Sequence, residues 1–216
     1  MSQARLISLL ASCTMWVAFC PVGFGQNCKN SGTAAWNAAV RNVLADCRAE
    51  FRSPNGRLLL SVGPDGKMAI QSKGLVWAGP KLEPPSMISW SPVSDAFFVN
   101  DGKGSGISSS FRLFRVAGTG VSEDKAIERA AVSLFRQRMH CNSSAADPNV
   151  WGFGWNAQGS EIYLLVQATV NDSCGRPEQF ISLVVRVSDG ELLEALSKEE
   201  TQANFSPLLP SGLFAK

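Results

Sequence analysis

The sequence predicts a mainly β, α+β protein: three antiparallel β modules in an open or sandwich-like assembly, accompanied by two helices. Three observations predict it. A turn-plus-strand unit occurs three times, as FRSPNGRLLLSV at 51–62, ISWSPVSDAFFVND at 88–101 and GWNAQGSEIYLLVQ at 154–167. Further runs of β-forming residues follow each unit, bounded by Gly, Pro, Asn or Asp, as hairpin-connected strands require. Two other stretches replace the period of two with apolar residues at helical spacing.

Residues 1–25 stand apart. Arg5 is their only charge, followed by the apolar stretch Leu6–Cys20, then Pro21 and the small residues around Gly23 and Gly25. That is the order of a secretory signal, and its apolar core falls short of the ~20 residues that span a bilayer. Cleavage is expected near Gly25–Gln26, leaving 26–216 as one secreted or periplasmic domain. Leu10-Ala11-Ser12-Cys13 offers an alternative, a lipoprotein box with Cys13 lipidated. Against it, the apolar run continues through Trp16, Val17 and Phe19, where a lipoprotein would turn polar. No later stretch is long and apolar enough to be expected to cross a membrane as a helix.

Without Arg5 the chain carries 19 Lys and Arg against 18 Asp and Glu, with no basic block. Nucleic acid and anionic membrane therefore find no electrostatic handle. Cys28, Cys47, Cys141 and Cys174 remain after the leader, an even number in an exported chain, and read as disulfides. Zinc is the rival, but no Cys pair has ligand spacing and His140 is the only His, so no metal or cofactor is expected. Cys141 follows a predicted helix and Cys174 lies in a loop between strands, which suggests one staple and leaves Cys28 with Cys47. If 33–47 is one helix its ends lie about 21 Å apart, and five residues of extended chain barely return Cys28 to bonding range. Either that helix is shorter or the pairing crosses.

The elements follow in order. Trp36, Val40, Val43, Leu44, Cys47 and Phe51 share helical spacing and predict a helix over 33–50 with Trp36 buried. The first module, 51–80, has a strand at 58–62, a turn at 63–66, a returning strand at 67–71 and a third at 75–78. Pro80, Pro84 and Pro85 mark a loop. The second module, 86–120, has strands at 95–100 and 109–116 around a Gly-rich connection, 101–106, and ends at Gly118–Gly120. A helix is predicted over 122–139, with Ile127, Ala130, Ala131, Leu134 and Phe135 as its stripe. Ser122 is its expected N-cap, and Glu123, Asp124, Arg136 and Arg138 complement its dipole. The third module, 150–197, has strands at 161–169, 180–187 and 191–196. Beyond it Pro207 and Pro210 punctuate a loose tail.

Phe51, Trp90 and Trp155 read as equivalent aromatics, 39 and 65 residues apart. The excess of 26 matches an inserted helix and its polar run, so the third module looks like a displaced copy. A ~40-residue period of short antiparallel strands is that of a propeller blade. Phe51-Arg-Ser-Pro-Asn-Gly56 and Trp90-Ser-Pro92 resemble the aromatic-x-Ser-Pro-Asp-Gly turn of Tol-type and WD-repeat β-propeller blades. Val187-Ser-Asp-Gly-Glu191 is similar to the turn before their outer strands. Val93 and Ser94 replace the Asp-Gly in the second copy, and Asn156-Ala-Gln-Gly159 the whole motif in the third. Three units are fewer than a closed propeller needs, hence the open assembly. The resemblance implies binding through loops and rims, with a protein or cell-envelope component as partner.

No local pattern nominates catalysis. The loop Asp101–Gly106 joins two strands and opens no helix, so it lacks the dipole of a phosphate loop. Asp101 and Asn100 supply too few ligands for calcium. His140 has no convincing Ser or Cys partner, Cys141 being expected in a disulfide. Trp151-Gly-Phe153-Gly-Trp155 puts three aromatics on one face of a strand, either a ligand platform or a packed sheet face. Asn142, Asn171 and Asn204 head glycosylation sequons. A non-catalytic exported binding module is therefore expected. The alternative is a small hydrolase using loop carboxylates, Asp95 and Asp101 among them.

Overall fold

The computed structural model describes residues 40–104, 108–142, 145–169, 174 and 179–214. A short strand, β1 (Arg41–Val43), opens the described chain. Strands β2 (Ala49–Arg52), β3 (Leu59–Val62), β4 (Lys67–Ser72) and β5 (Leu75–Lys81) form the first antiparallel meander. Strands β6 (Ser86–Trp90), β7 (Ala96–Asp101), β8 (Ser110–Ala117) and β9 (Gly120–Asp124) form the second, to which β1 adds beside β6. Helix α1 (Ala126–Arg138) leads to the third, β10 (Asn149–Trp155), β11 (Glu161–Gln167), β12 (Phe180–Arg186) and β13 (Leu192–Leu196). Helix α2 (Lys198–Phe205) and two 3-10 turns complete the described chain. The described residues are thus mainly β, with two helices and three antiparallel sheets.

The sheets stack because the middle one is apolar on both faces. All six residues of β7 are buried, and alternation along the strand sends Phe97 and Phe98 to opposite sides. Phe97, Val99 and Phe114 pack with Leu60, Val62, Met68 and Ile70 of the first sheet. Phe98, Phe111 and Leu113 pack with Ile162, Leu164 and Leu183 of the third and with Ile127, Ala131 and Phe135 of α1. The far face of the third sheet, Phe153, Leu165 and Phe180, is covered by Phe205, Leu208 and Leu209.

One turn recurs at the head of each module. The amide of Ser53 donates to the Leu58 carbonyl, Ser91 to Ala96 and Asn156 to Glu161. Inside each, a second amide closes the turn: Gly56 to Ser53, Ser94 to Ser91, Gly159 to Asn156. The closing residues have φ of 73°, 68° and 70°, left-handed conformations that favour Gly. In this register Arg52, Trp90 and Trp155 are equivalent. Phe51, expected as the first aromatic of the series, instead matches Ser89 and Gly154, because its turn begins two residues later rather than one.

Four other expectations need correction. Residues 40–50 are not helical, while 33–39 lie outside the described residues. Val40, Val43, Cys47 and Phe51 are buried at the spacing that suggested a helix, but they reach the core from two strands joined by a reversal at Asp46, φ 57°. Ser122–Asp124 belong to β9, paired with Leu113–Arg115, so Ser122 is no N-cap. The helix begins after Lys125, and the Asp124 carboxylate accepts from the Ala126 amide. The tail is ordered by α2, where Ser197 and Glu200 form a capping box.

The fourth correction concerns the aromatic ladder. A bulge between Gly152 and Gly154 leaves Phe153 as the extra residue of β10. Trp151 and Phe153 consequently pack toward the C-terminal segment, whereas Trp155 turns to the opposite face and stacks on Phe98 at 5.6 Å. The three aromatics do not share one face.

Candidate functional site: a cleft between two sheet edges

The repeated turn places the tryptophans as links between modules. Trp90 Nε1 donates to the Phe51 carbonyl of the first module at 3.1 Å. Trp155 Nε1 donates to Ser89 Oγ of the second at 3.2 Å. Phe51 and Ser89 are equivalent residues, so each module grips its predecessor at the same place. The turns also touch, with the Asn55 amide donating to Ser94 Oγ at 3.1 Å.

Beside the first of these links lies a cleft of about 940 Å³, lined by β1, β2 and β6. This is within the size range of ligand sites. Both walls are strand edges: β1 is outermost in the second sheet and β2 in the first. Ser53 and Leu58 form a hydrogen-bonded pair, so the antiparallel alternation turns the main-chain groups of Glu50 and Arg52 away from β3, toward the outer side of the sheet. Phe51 and half-buried Trp90 supply apolar surface, with Pro54 and Pro92 beside them. Arg41, Glu50 and Arg52 supply charge. The chain itself already uses this kind of edge, since β1 adds antiparallel to β6 with Arg41 opposite Ile88.

A second, more polar groove runs between β8, β9 and α1, about 480 Å³ in volume and lined by Lys81, Asp101, Arg112, Glu123 and Glu128, among others. Arg112 binds Glu123 at 2.8 Å and Asp101 at 3.5 Å. Burial opposes the charge on Arg112, but its Glu123 hydrogen bond and both carboxylates hold its pKa above the usual value. The same bond lowers the Glu123 pKa. Glu128 is pushed up by burial, although its carboxylate accepts from the Phe111 amide at 2.9 Å. That bond serves a stretch of β8 that β9 does not reach. These carboxylates are spent on holding strands and helix together.

The residues singled out from the sequence do not assemble into one centre. Asp95 is exposed and accepts from Ser91 Oγ at 2.7 Å. Asp101 is 7 % exposed and accepts from the Glu83 amide at 3.0 Å. Six residues of extended chain separate them, about 20 Å, against roughly 5–9.5 Å for the carboxylates of a glycosidase. His140 follows α1 on the surface in a left-handed conformation. Cys141 and Cys174 are bonded, with Cα atoms 4.7 Å apart, tying the end of α1 to the β11–β12 loop. Cys47 is also in a disulfide, and its partner lies outside the described residues. The strain argued against Cys28 disappears with the helix that caused it. Phe153 is fully buried and has no surface to offer a ligand, while Trp151 and Trp155 are half-buried. Among the described residues no cluster of His, Cys, Asp or Glu has metal-binding geometry, and no helix is long and apolar enough to cross a membrane.

The cleft was not foreseen. Its one signal in the sequence is the swap of Arg52 into the position that Trp90 and Trp155 occupy in their modules.

No family model matches the chain, and no curated protein does. Among solved structures it is similar to a protein from Agrobacterium tumefaciens provisionally assigned as TolB, at 16 % identity and a TM-score of 0.34. The match covers 68 % of this chain and 45 % of that one, so this chain spans less than half of that structure.

Proposed function

We propose that the chain is an exported, non-catalytic binding module that takes an extended segment of a partner protein, or of a protein in the cell envelope, into the cleft between β1 and β2. The carrying observation is that the outermost strands of two sheets, β1 and β2, line one cavity beside Phe51 and Trp90. Edges of this kind bind peptides by adding a strand, with main-chain bonds giving affinity and neighbouring pockets selectivity. The three sheets are read as consecutive propeller-like blades in an open array, supported by the recurring turn and the tryptophan links. Export rests on the signal-like leader and on two disulfide-bonded sites, one at Cys47 and one joining Cys141 to Cys174. Separation of Asp95 from Asp101 weighs against the hydrolase alternative.

The test is a displayed library of short peptides selected on the purified chain, with binders followed by Trp fluorescence and amide exchange. Selected peptides should slow exchange of the Glu50 and Arg52 amides. Glu50→Pro removes one edge donor, at a strand position where proline is tolerated, and should abolish binding while the melting temperature stays near the parent's. A library without binders, or binders indifferent to Glu50→Pro that leave β2 unprotected, would overturn the reading.

A further inference from the structure

We infer that the segment taken by this cleft is acidic, carrying carboxylates that Arg41 and Arg52 receive; this rests on the cleft being the docking site. The argument is one of unneutralised charge. Three ionisable side chains line the cleft, Arg41, Glu50 and Arg52. Glu50 is already engaged by Arg48 at 3.1 Å. Arg52 donates to the Gly56 carbonyl at 3.2 Å and meets no carboxylate, and Arg41 has no partner among the described residues. Two guanidinium groups thus stand on opposite walls, one on β1 and one on β2, and the one carboxylate that shares the lining, Glu50, is paired with Arg48 instead.

The repeat explains why the charge belongs to a ligand rather than to the fold. At the equivalent positions Trp90 and Trp155 reach back to the preceding module. The first module has no predecessor among the described residues, and Arg52 stands where the linking indole would be. A guanidinium at that position reaches only the Gly56 carbonyl of its own turn and no carboxylate among the described residues. An extended strand laid along β2 presents alternate side chains to one face, so a segment with Glu or Asp at every second residue would set one carboxylate against Arg52 and another across the cleft toward Arg41. Guanidinium–carboxylate pairs are short and directional, and here they would fix the register of the added strand. Half-buried Trp90 remains available to the apolar residues between.

Three short peptides of one length, with Val alternating with Glu, Gln or Lys, test this by calorimetry and amide exchange on the full chain. The Glu peptide should bind at least about tenfold more tightly than the Lys peptide, a gap that narrows as salt screens exposed charge. Combining Arg41→Glu with Arg52→Glu should invert the order. Arg41→Gln with Arg52→Gln, a milder change should the first misfold, should level it. Equal binding of all three with β2 protected would refute the acidic preference and leave the docking site standing. No protection by any of them would remove the docking site and this inference with it. Protection of Glu50 and Arg52 without peptide, lost when residues before Val40 are deleted, would assign the cleft to the chain's own N-terminal segment and overturn the proposal.

Discussion

Asn100 shows how much one polar side chain contributes to the seam between the second and third sheets. Its Nδ2 donates to the Gly152 carbonyl at 2.8 Å, and its Oδ1 accepts from the Gly152 amide at 2.7 Å. A Cβ at Gly152 would meet the rings of Phe98 and Phe111 at 2.9 Å, so glycine is what brings that backbone within reach. Asn100→Ala strands two buried main-chain groups, and urea unfolding should show a loss of about 2–4 kcal/mol. Two carboxylates should give opposite pH signatures. Burial raises the Glu128 pKa, so its favourable contribution is complete below the unfolded value and declines as pH rises through the folded one. Arg112 lowers the Glu123 pKa, so its contribution is present above the unfolded value and is lost as pH falls through the folded one. Melting curves between pH 3 and 8 should therefore show Glu128→Gln gaining relative to the parent as pH rises. Glu123→Gln should lose most at neutrality, about 1 kcal/mol after allowance for solvent screening, and converge with the parent in acid. None of this was legible in the sequence: Asn100 and Gly152 are 52 residues apart, and no local pattern announces their pairing.

At the scale of elements, legibility followed the locality of the cause. The turns were readable because Ser-Pro, Gly and Asn act over five or six residues, and most strand positions followed from alternation within a run. The helical expectation failed over 40–50 because apolar residues at 40, 43, 47 and 51 satisfy a helical period and also satisfy two strands around a tight reversal; the deciding partner, β6, is some forty-five residues away. The bulge in β10 was invisible for the same reason, its extra residue being defined only against β11. The capping box at Ser197 and Glu200 was written in the chain and overlooked behind the prolines that follow it. The repeated tryptophan links make a sharper prediction. Trp90→Phe and Trp155→Phe each keep an aromatic ring and delete one donor, at separate seams. Each should cost about 1 kcal/mol, and the double variant should sum the two, as chemical denaturation of all four proteins would reveal.

At the scale of the whole molecule, stability rests on stacked sheets plus one described covalent tie. Cys141 and Cys174 close a span of 33 residues that contains β10 and β11. Replacing both with Ser should cost about 3–4 kcal/mol on the chain-entropy argument, read as a lower melting temperature than the parent's without reductant, where the disulfide at Cys47 stays intact in both. The order of the stack has a further consequence. One end is sealed by α2 and the turns after it, whose Phe205, Leu208 and Leu209 sit on the outermost sheet. At the other end, Val76 is 83 % exposed on the outward side of β5. Among the described residues the array is therefore polar, like a filament with one blocked terminus, and a reporter domain appended after Phe214 should leave the Val76 face untouched.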